Sequence, residues 1–344
     1  MASFVQRVQA WQQLSGRHHL PWQGTKDPYK VWLSEIMLQQ TQVSTVIEYY
    51  QRFLERFPTV QVLAATAVED VMPYWAGLGY YARARNLHKC AQLVVSQYQG
   101  QFPQQASELQ KLPGIGESTA NSIAAFCFEA ITPIMDGNVK RVFTRFYGIA
   151  GVGTATEKKL WQQAYDNVQG ERNIGQYNQG LMDLGSMICT RSRPKCQECP
   201  LRTDCYAFAH DKQAELPSKK AKKDIPQREV VMLLIRTKKQ VLLQKRPEKG
   251  IWGGLLSLPE LADETALSQW LSQHPSLQAQ KMASFEHVFS HYRLLIHPVL
   301  ITSDKINLAD SASLNINDTH WYALSDIPTL ALPSPMMKLL SGSE

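Results

Sequence analysis

The N-terminal part of the chain carries apolar side chains at helical spacing. Between residues 43 and 57 they recur at every third or fourth position, until Pro58 interrupts the pattern. The same spacing is found at 81–98, 118–128, 139–147 and 158–168. Short connections between stripes of this kind are typical of a packed helical bundle. The sequence therefore predicts that residues 1–210 form a mainly α-helical region.

The pattern changes beyond residue 229. Short runs rich in Val, Leu, Ile and aromatic residues predict strands at 229–236, 240–246, 285–303 and 321–324, with one helix near 265–271. Residues 229–344 are therefore expected to form a smaller α/β or α+β domain. The intervening residues 211–228 hold two prolines and four clustered lysines, and predict a basic interdomain linker. We interpret this charge as solvated chain, although such a run can also follow a phosphate backbone.

Composition limits the class of protein. With 44% hydrophobic and 19% charged residues over 344 positions, the chain has enough apolar material for a folded core. Its apolar runs are far shorter than a membrane span, and its N-terminus lacks the basic-then-apolar order of a signal peptide. We therefore expect a soluble, cytoplasmic protein without a membrane partner. The net charge of +6 permits a polyanionic partner such as DNA, but an ordinary basic surface gives the same value.

Four of the six cysteines lie close together in the chain, with the spacing C-x6-C-x2-C-x5-C. In a reducing compartment such a group is more often a metal site than a disulfide framework. Structural zinc commonly uses two C-x2-C pairs, whereas here one pair is flanked by unequal arms that favour a larger object. We therefore favour one 4Fe–4S cluster per chain over zinc. Its predicted ligands are Cys189, Cys196, Cys199 and Cys205.

A glycine-rich turn is a candidate anion site. Residues 112–116, Leu-Pro-Gly-Ile-Gly, lie between two helical stripes, and the free backbone N–H groups of such a turn can bind phosphate. Many ordinary turns also contain Gly-x-Gly. Preceded by Leu-Pro and followed by a helix, this one resembles the helix–hairpin–helix element that binds a DNA backbone.

Two carboxyl groups are candidates for acid–base chemistry. Asp136 opens a helix, where cap hydrogen bonds and the helix dipole favour the ionised carboxylate. Glu35 lies in the apolar run 31–38, where burial would raise its pKa and keep a proton available. One neutral and one ionised carboxyl group is the arrangement that cleaves glycosidic bonds. Each residue also has an ordinary explanation, as a helix cap and as a surface glutamate.

Five segments occur in the order found in one enzyme family. They are SEIMLQQTQV at 34–43, GLGYYARARNL at 77–87, LPGIGESTA at 112–120, MDGNVKRV at 135–142 and the four-cysteine loop at 189–205. The chain resembles the helix–hairpin–helix DNA glycosylases with a 4Fe–4S cluster, and among them the MutY-type adenine DNA glycosylases, which remove adenine mispaired with 8-oxoguanine. The resemblance covers nearly the whole chain, because that family adds a Nudix-like C-terminal domain with a Phe-Ser-His loop, here residues 289–291.

The resemblance implies a fold and partners. The implied fold is a six-helix bundle with a helix–hairpin–helix element and an iron–sulfur cluster subdomain, joined to a smaller Nudix-like domain. The implied partner is double-stranded DNA with an adenine:8-oxoguanine or adenine:guanine mispair. The resemblance further implies a monomer that works in the cytoplasm, associated with the nucleoid.

The resemblance also implies roles for individual residues. Glu35 looks like the acid that protonates adenine N7, Asp136 like the carboxylate that stabilises the oxocarbenium ion, and Asn138 would orient the sugar or the water. Gln40 and Tyr80 match positions that wedge into the duplex when adenine is flipped out. The remaining implied contacts are Leu20, Trp22 and Asp183 in the adenine pocket, Leu112, Gly114, Gly116 and Ser118 on DNA, and Phe289, Ser290 and His291 on 8-oxoguanine.

Two departures from related enzymes refine this interpretation. Bifunctional relatives carry a lysine nucleophile where this chain has Ser118, so we expect a monofunctional glycosylase without efficient lyase activity. Residues 250–260 resemble the glycine-rich strand of nucleotide pyrophosphohydrolases, but the glutamate-rich metal-binding helix does not follow. The C-terminal domain is therefore expected to recognise a base and to hydrolyse nothing.

Three other functions compete with this interpretation. An endonuclease-III-like glycosylase/lyase is disfavoured by Ser118 and by the second domain. A non-catalytic iron–sulfur protein that binds DNA or senses redox state would keep the cysteines and the hairpin, but would not need Glu35 and Asp136. A Nudix hydrolase with a helical extension is disfavoured by the missing metal-binding helix.

Overall fold

The computed structural model describes residues 2–219, 224–289, 291–302, 316 and 318–341. The chain divides into two compact units, one of Met1–Ala65 with Arg85–Ala221 and the other of Thr66–Ala84 with Lys222–Glu344. The first unit is helical and the second contains two β-sheets, which confirms the predicted fold classes. The boundaries at 210 and 228 stay a prediction. No helix in the described ranges is long and apolar enough to cross a membrane.

Helices dominate the chain before residue 210. In chain order they are α1 (Phe4–Ser15), α2 (Pro28–Leu38), α3 (Val43–Arg56), α4 (Val60–Ala65), α5 (Val68–Val71), α6 (Ala82–Tyr98), α7 (Ala106–Leu109), α8 (Glu117–Phe128), α9 (Gly137–Tyr147), α10 (Thr154–Val168), α11 (Ile174–Met187) and α12 (Tyr206–Ala209). All five predicted stripes form helices. Short helices such as α5 and α7 lie between them, and a single helical turn carries no periodicity that a sequence pattern could reveal.

Caps determine where the helices of interest begin and end. At the start of α2, the Asp27 carboxylate accepts the N–H of Tyr29 at 2.9 Å, and Pro28 occupies the first position, where no N–H is needed. Asp136 caps α9 in the same way. α9 ends at Gly148, whose φ of +68° is left-handed, and a Cβ there would lie 2.7 Å from the Tyr206 ring. Both the left-handed backbone and the close Tyr206 ring therefore require glycine at this end of α9.

One apolar core of the helical unit forms where α9 and α11 pack together and α1 covers α11. Its largest fully buried side chains are Phe143 on α9 and Tyr177 on α11. Phe4 of α1 meets both rings edge-on, at centroid distances of 5.8 and 6.2 Å. This packing fixes α9, and hence the residue at its N-terminus, against the rest of the unit.

The second unit holds the strands. They are β1 (Gln227–Ile235), β2 (Gln240–Lys245), β3 (Leu256–Ser257), β4 (Glu260–Leu261), β5 (Gln278–Lys281), β6 (Phe285–Val288), β7 (Arg293–Thr302) and β8 (Thr319–Ala323), with helices α13 (Glu264–Ser272) and α14 (Ser334–Ser341). β1 runs parallel to β7 and antiparallel to β4, while β5 and β6 pair antiparallel with β7. A second, antiparallel sheet has the order β3-β2-β8.

The run 285–303 contains two strands, β6 and β7, which pair antiparallel and flank the expected Phe-Ser-His segment in the sequence. The predicted linker 211–228 includes residues with regular structure, since Gln227 and Arg228 already belong to β1. Leu216 in its first half is buried rather than solvated.

Candidate active site

A cavity of about 360 Å³ opens in the helical unit. Glu35, Asp136 and Asn138 line it, and Leu20 and Trp22 contribute apolar wall. Five residues that were chosen from the sequence therefore share one space. The volume lies within the range of cavities that enclose small molecules, and apolar walls around a few polar groups are typical of such sites.

Glu35 is the half-buried acid of this cavity. It stands on α2, which packs against α8. Burial raises the pKa of Glu35 to about 7, the Ser122 hydroxyl lowers it, and the nearby charge of Asp136 raises it. The carboxyl group thus retains its proton close to neutral pH, which confirms the expected effect of burial.

Asp136 is held at both of its carboxylate oxygens. Oδ1 accepts the N–H of Val139 at 2.7 Å, which is the predicted helix cap, and Oδ2 accepts Nδ2 of Asn138 at 3.1 Å. The carboxylate therefore has a fixed position at the cavity wall. Asn138 lines the same cavity, so the two side chains act there as one unit.

The segment that leads to Asp136 is fastened to α8. Ser118 Oγ accepts the N–H of Met135 at 3.0 Å, and Asn121 donates to the carbonyl of Pro133 at 2.8 Å. Thr132 in turn donates to the carbonyl of Asn121 at 2.9 Å. Ser118, predicted to contact DNA, thus has its hydroxyl turned toward this segment. Asn121 was missed by sequence analysis, although a buried amide within an apolar helix stripe is the signal that could have found it.

Arg141 connects Asn138 with the start of the cysteine loop. Its guanidinium donates to Oδ1 of Asn138 at 2.8 Å, to the carbonyl of Gly185 at 2.6 Å and to the carbonyl of Cys189 at 2.7 Å. α11 comes close to α9 here because Gly185 has no side chain, and a Cβ would lie 2.6 Å from Cβ of Asn138. One arginine therefore joins the N-terminal end of α9 to the cysteine loop.

The four predicted metal ligands, Cys189, Cys196, Cys199 and Cys205, line one small cavity. Among the residues that the structure describes, no three His, Cys, Asp or Glu side chains converge closely enough for one metal ion. Four thiols that line one cavity are a donor set that fits a thiolate-ligated iron–sulfur cluster.

Burial dominates the chemistry of these thiols. It raises the pKa of Cys199 to about 12, and the neighbouring cysteines raise it as well. Metal binding must therefore displace protons from the thiols. Arg145 is 3% exposed, approaches Sγ of Cys189 at 3.4 Å, and donates to the carbonyls of Thr190 and Leu216 at 2.7 and 2.9 Å. A fixed positive charge thus stands beside the proposed ligands.

The glycine-rich turn connects α7 and α8. Gly114 has a left-handed φ of +80°, and a Cβ there would lie 3.1 Å from Cβ of Asn86. Gly114 and Gly116 are exposed, whereas Leu112 and Ile115 are buried. The side chain of Leu112 therefore anchors the turn in the protein interior, and the backbone of the two glycines stays accessible. The contact of Leu112 with DNA stays a prediction.

The two predicted wedge residues share an unusual backbone conformation. Gln40, just after α2, has a φ of +57°, and Tyr80, just before α6, has a φ of +49°. Both side chains are exposed, Tyr80 to 50%. A left-handed non-glycine residue costs on the order of 1 kcal/mol or more, and such strain concentrates at functional sites.

Asp183 does not line the cavity, contrary to the prediction. It is fully buried, and its carboxylate accepts both the backbone N–H of Arg17 at 2.9 Å and Nε of Arg17 at 2.7 Å. Gln179 donates to it at 2.9 Å. Arg17 and Gln179 themselves line the cavity. Asp183 therefore supports the wall through its partners, because a buried carboxylate needs a cation and donors of its own.

In the second unit, Phe289, His291 and Tyr292 lie between the paired strands β6 and β7. The N–H of Phe289 donates to the carbonyl of Tyr292 at 2.9 Å, and its ring packs on Trp252 and His287 at centroid distances of 5.4 and 4.6 Å. Ser290 lies outside the described residues. Trp252, missed by sequence analysis, has a left-handed φ of +51°. The predicted recognition loop thus rests on an aromatic cluster.

The sequence and the fold match known proteins. The model of the HhH-GPD superfamily of base excision DNA repair proteins matches residues 33–165, and a NUDIX domain model matches residues 230–342. The solved structure of a thermostable thymine-DNA glycosylase aligns with a TM-score of 0.55 at 26% identity, over 60% of this chain and 95% of its own. A trapped endonuclease III–DNA covalent intermediate shares the fold, with a TM-score of 0.51 at 21% identity over 59% and 94%.

Full-length relatives are more similar still. The adenine DNA glycosylase of Buchnera aphidicola subsp. Baizongia pistaciae is 38% identical over 98% of this chain and 96% of its own length. The adenine DNA glycosylase of Mus musculus is 30% identical over 98% of this chain and 77% of its own. Both the helical and the sheet-containing parts are therefore shared with these enzymes. This chain belongs to the adenine DNA glycosylase family.

Proposed function

We propose that this DNA glycosylase acts in base excision repair, where it hydrolyses the N-glycosidic bond of adenine paired with 8-oxoguanine or guanine in duplex DNA. The observation that carries the proposal is the cavity in which the Glu35 acid stands with Asp136 and Asn138. A duplex does not expose this bond to a buried acid, so the adenine must leave the base stack and enter the cavity.

In the proposed reaction Glu35 donates its proton to N7 of adenine, directly or through water. The protonated base then leaves with the electrons of the C1′–N9 bond, and positive charge develops on the sugar. Asp136 opposes that charge, because a carboxylate that is already fixed in position stabilises a developing cation. Water adds to C1′, and the proton it loses restores the acid. Asn138 orients the sugar or the water.

Other parts of the chain would bind the duplex. Gln40 and Tyr80 would each insert into the duplex when adenine is flipped out, and the backbone around Gly114 and Gly116 would bind a phosphate. No amine stands at Ser118, so the abasic product would remain uncut. We further propose that the enzyme works as a monomer.

The four loop cysteines, Cys189, Cys196, Cys199 and Cys205, would hold one 4Fe–4S cluster. When bound, the cluster would cross-link the loop and supply structural and electrostatic support. Arg145 would offset the negative charge of its thiolates, and Arg141 would keep the loop in register with Asn138. The contact of Arg145 with Sγ of Cys189, and the hydrogen bonds of Arg141 to Cys189 and Asn138, support these roles.

Recognition of the opposite base is assigned to the second unit. Adenine is a normal base, so specificity must come from its partner. Phe289 offers an aromatic surface, and Ser290 and His291 offer groups that hydrogen-bond N7–H of 8-oxoguanine, a donor that guanine lacks. The aromatic cluster beneath Phe289 supports this assignment.

The test uses duplexes that differ in the base opposite one adenine. Free adenine is measured by chromatography, and strand breaks are measured with and without alkali. We expect release opposite 8-oxoguanine, slower release opposite guanine, little opposite thymine, and breaks after alkali alone. Strand breaks without alkali would identify a lyase, and binding without adenine release would identify a non-catalytic DNA-binding protein.

A further inference from the structure

One serine hydroxyl inside α8 lacks the usual partner. Ser122 is 1% exposed, and its Oγ makes no hydrogen bond of ordinary geometry within the described ranges of the chain. Buried serines and threonines in helices normally donate to a carbonyl of the preceding turn, as Ser34 does to Val31 at 2.8 Å. A buried polar group without a partner lowers stability, whereas alanine would avoid the cost and favour the helix.

The group beside this hydroxyl is the carboxyl of Glu35. α8, which carries Ser122, packs directly on α2, which carries Glu35. The hydroxyl lowers the pKa of Glu35, which is the direction expected when an O–H stabilises the ionised form.

Other titratable and charged groups also surround Glu35. Asp136 raises its pKa by repulsion. Cys127, also on α8, is a buried thiol whose own pKa is raised by burial first and then by Asp27 and Glu35. Arg17 and His18 line the same cavity. Asp136 is the anionic neighbour that disfavours ionisation of Glu35, and an uncharged donor within the protein wall opposes it.

We propose that Ser122 is a positioning residue for the acid: its hydroxyl holds the Glu35 carboxyl at the cavity wall and serves it in both protonation states. A hydroxyl can rotate, so it donates to the ionised carboxylate and accepts from the protonated acid. The retained polar group thus has a use that offsets its cost. The inference rests on the proposed function, in which Glu35 supplies the proton.

The experiment compares single-turnover adenine release by the wild type and Ser122→Ala across pH, from a duplex with adenine opposite 8-oxoguanine. Without the donor, the ionised carboxylate loses stabilisation and the pKa of Glu35 rises. We expect the alkaline limb of the pH profile to move upward by about 0.5 to 1 unit. DNA affinity should stay the same, and the melting temperature should stay equal or rise.

Two further variants keep the test decisive. Ser257→Ala removes another buried hydroxyl that has no partner within the described residues, in the other unit, and should leave the limb in place. Ser122→Cys keeps a weak donor and should give an intermediate position, which also decides the question if the alanine variant does not fold.

If the wild type releases adenine, two results would overturn this inference. One is an alkaline limb of the pH profile that does not move in Ser122→Ala, and the other is an equal movement of that limb in Ser257→Ala. A lower melting temperature with an unshifted limb would assign Ser122 a merely structural role. If the wild type releases no adenine at any pH, the proposed function fails, and this inference fails with it.

Discussion

Replacement of Glu35 by Gln should stabilise the folded protein at alkaline pH. Burial raises the folded-state pKa of this carboxyl from its ordinary value of 4.5 to about 7. Because the folded state resists ionisation of Glu35, the wild type loses stability as the pH rises from the unfolded-state pKa to the folded-state pKa. Above the folded-state pKa this loss of stability stays constant. Gln has nearly the same shape and cannot ionise. Between about pH 5.5 and about pH 8.5 the stability of the variant relative to wild type should rise by about 2 kcal/mol.

The assay is chemical denaturation followed by tryptophan fluorescence, with both proteins measured at each pH. Glu55→Gln, at an exposed position on α3, is the matched control and should give a difference that stays flat with pH. A flat difference for Glu35→Gln as well would refute the reasoning. Glu35 would then ionise as easily in the folded protein as in the unfolded chain, and the physical basis for its role as an acid would be lost.

Three further predictions concern the remaining parts of the site. Asp136→Asn should keep its helix cap and its DNA binding but release adenine at least ~100-fold more slowly in single turnover, and a folded variant with wild-type release would contradict this role. Cys199→Ser should lose iron in metal analysis together with the visible absorbance of the cluster, and purified wild type with zinc but no iron would refute the cluster assignment. His291→Ala should lower the preference for adenine opposite 8-oxoguanine over guanine on the order of tenfold, measured as a ratio of excision rates, and an unchanged ratio would move recognition to another surface.

The sequence is a good guide wherever a signal acts within a few residues. Asp136 marks the start of α9 correctly, because a helix cap depends on the local backbone. The break between β6 and β7 is expected only from the family resemblance, since Phe-Ser-His contains neither the glycine nor the proline that usually marks a turn.

The site itself depends on contacts between distant parts of the chain. Glu35 and Asp136 are about one hundred positions apart, so only the family resemblance could bring them together before the structure was known. The pattern could not show that Arg17 stands between Asp183 and the cavity, or that Arg141 joins Asn138 to the cysteine loop. Such roles are set by long-range packing, which residue type and spacing do not encode.

The central claim is that Glu35 supplies the proton that releases adenine. The most direct measurement is single-turnover release of adenine opposite 8-oxoguanine as a function of pH, for the wild type and for Glu35→Gln at saturating enzyme. We predict a wild-type rate that falls roughly tenfold per pH unit above about pH 7, and a variant that binds the duplex but releases adenine at least ~100-fold more slowly. Release by Glu35→Gln at the wild-type rate, with the same alkaline limb, would contradict the claim.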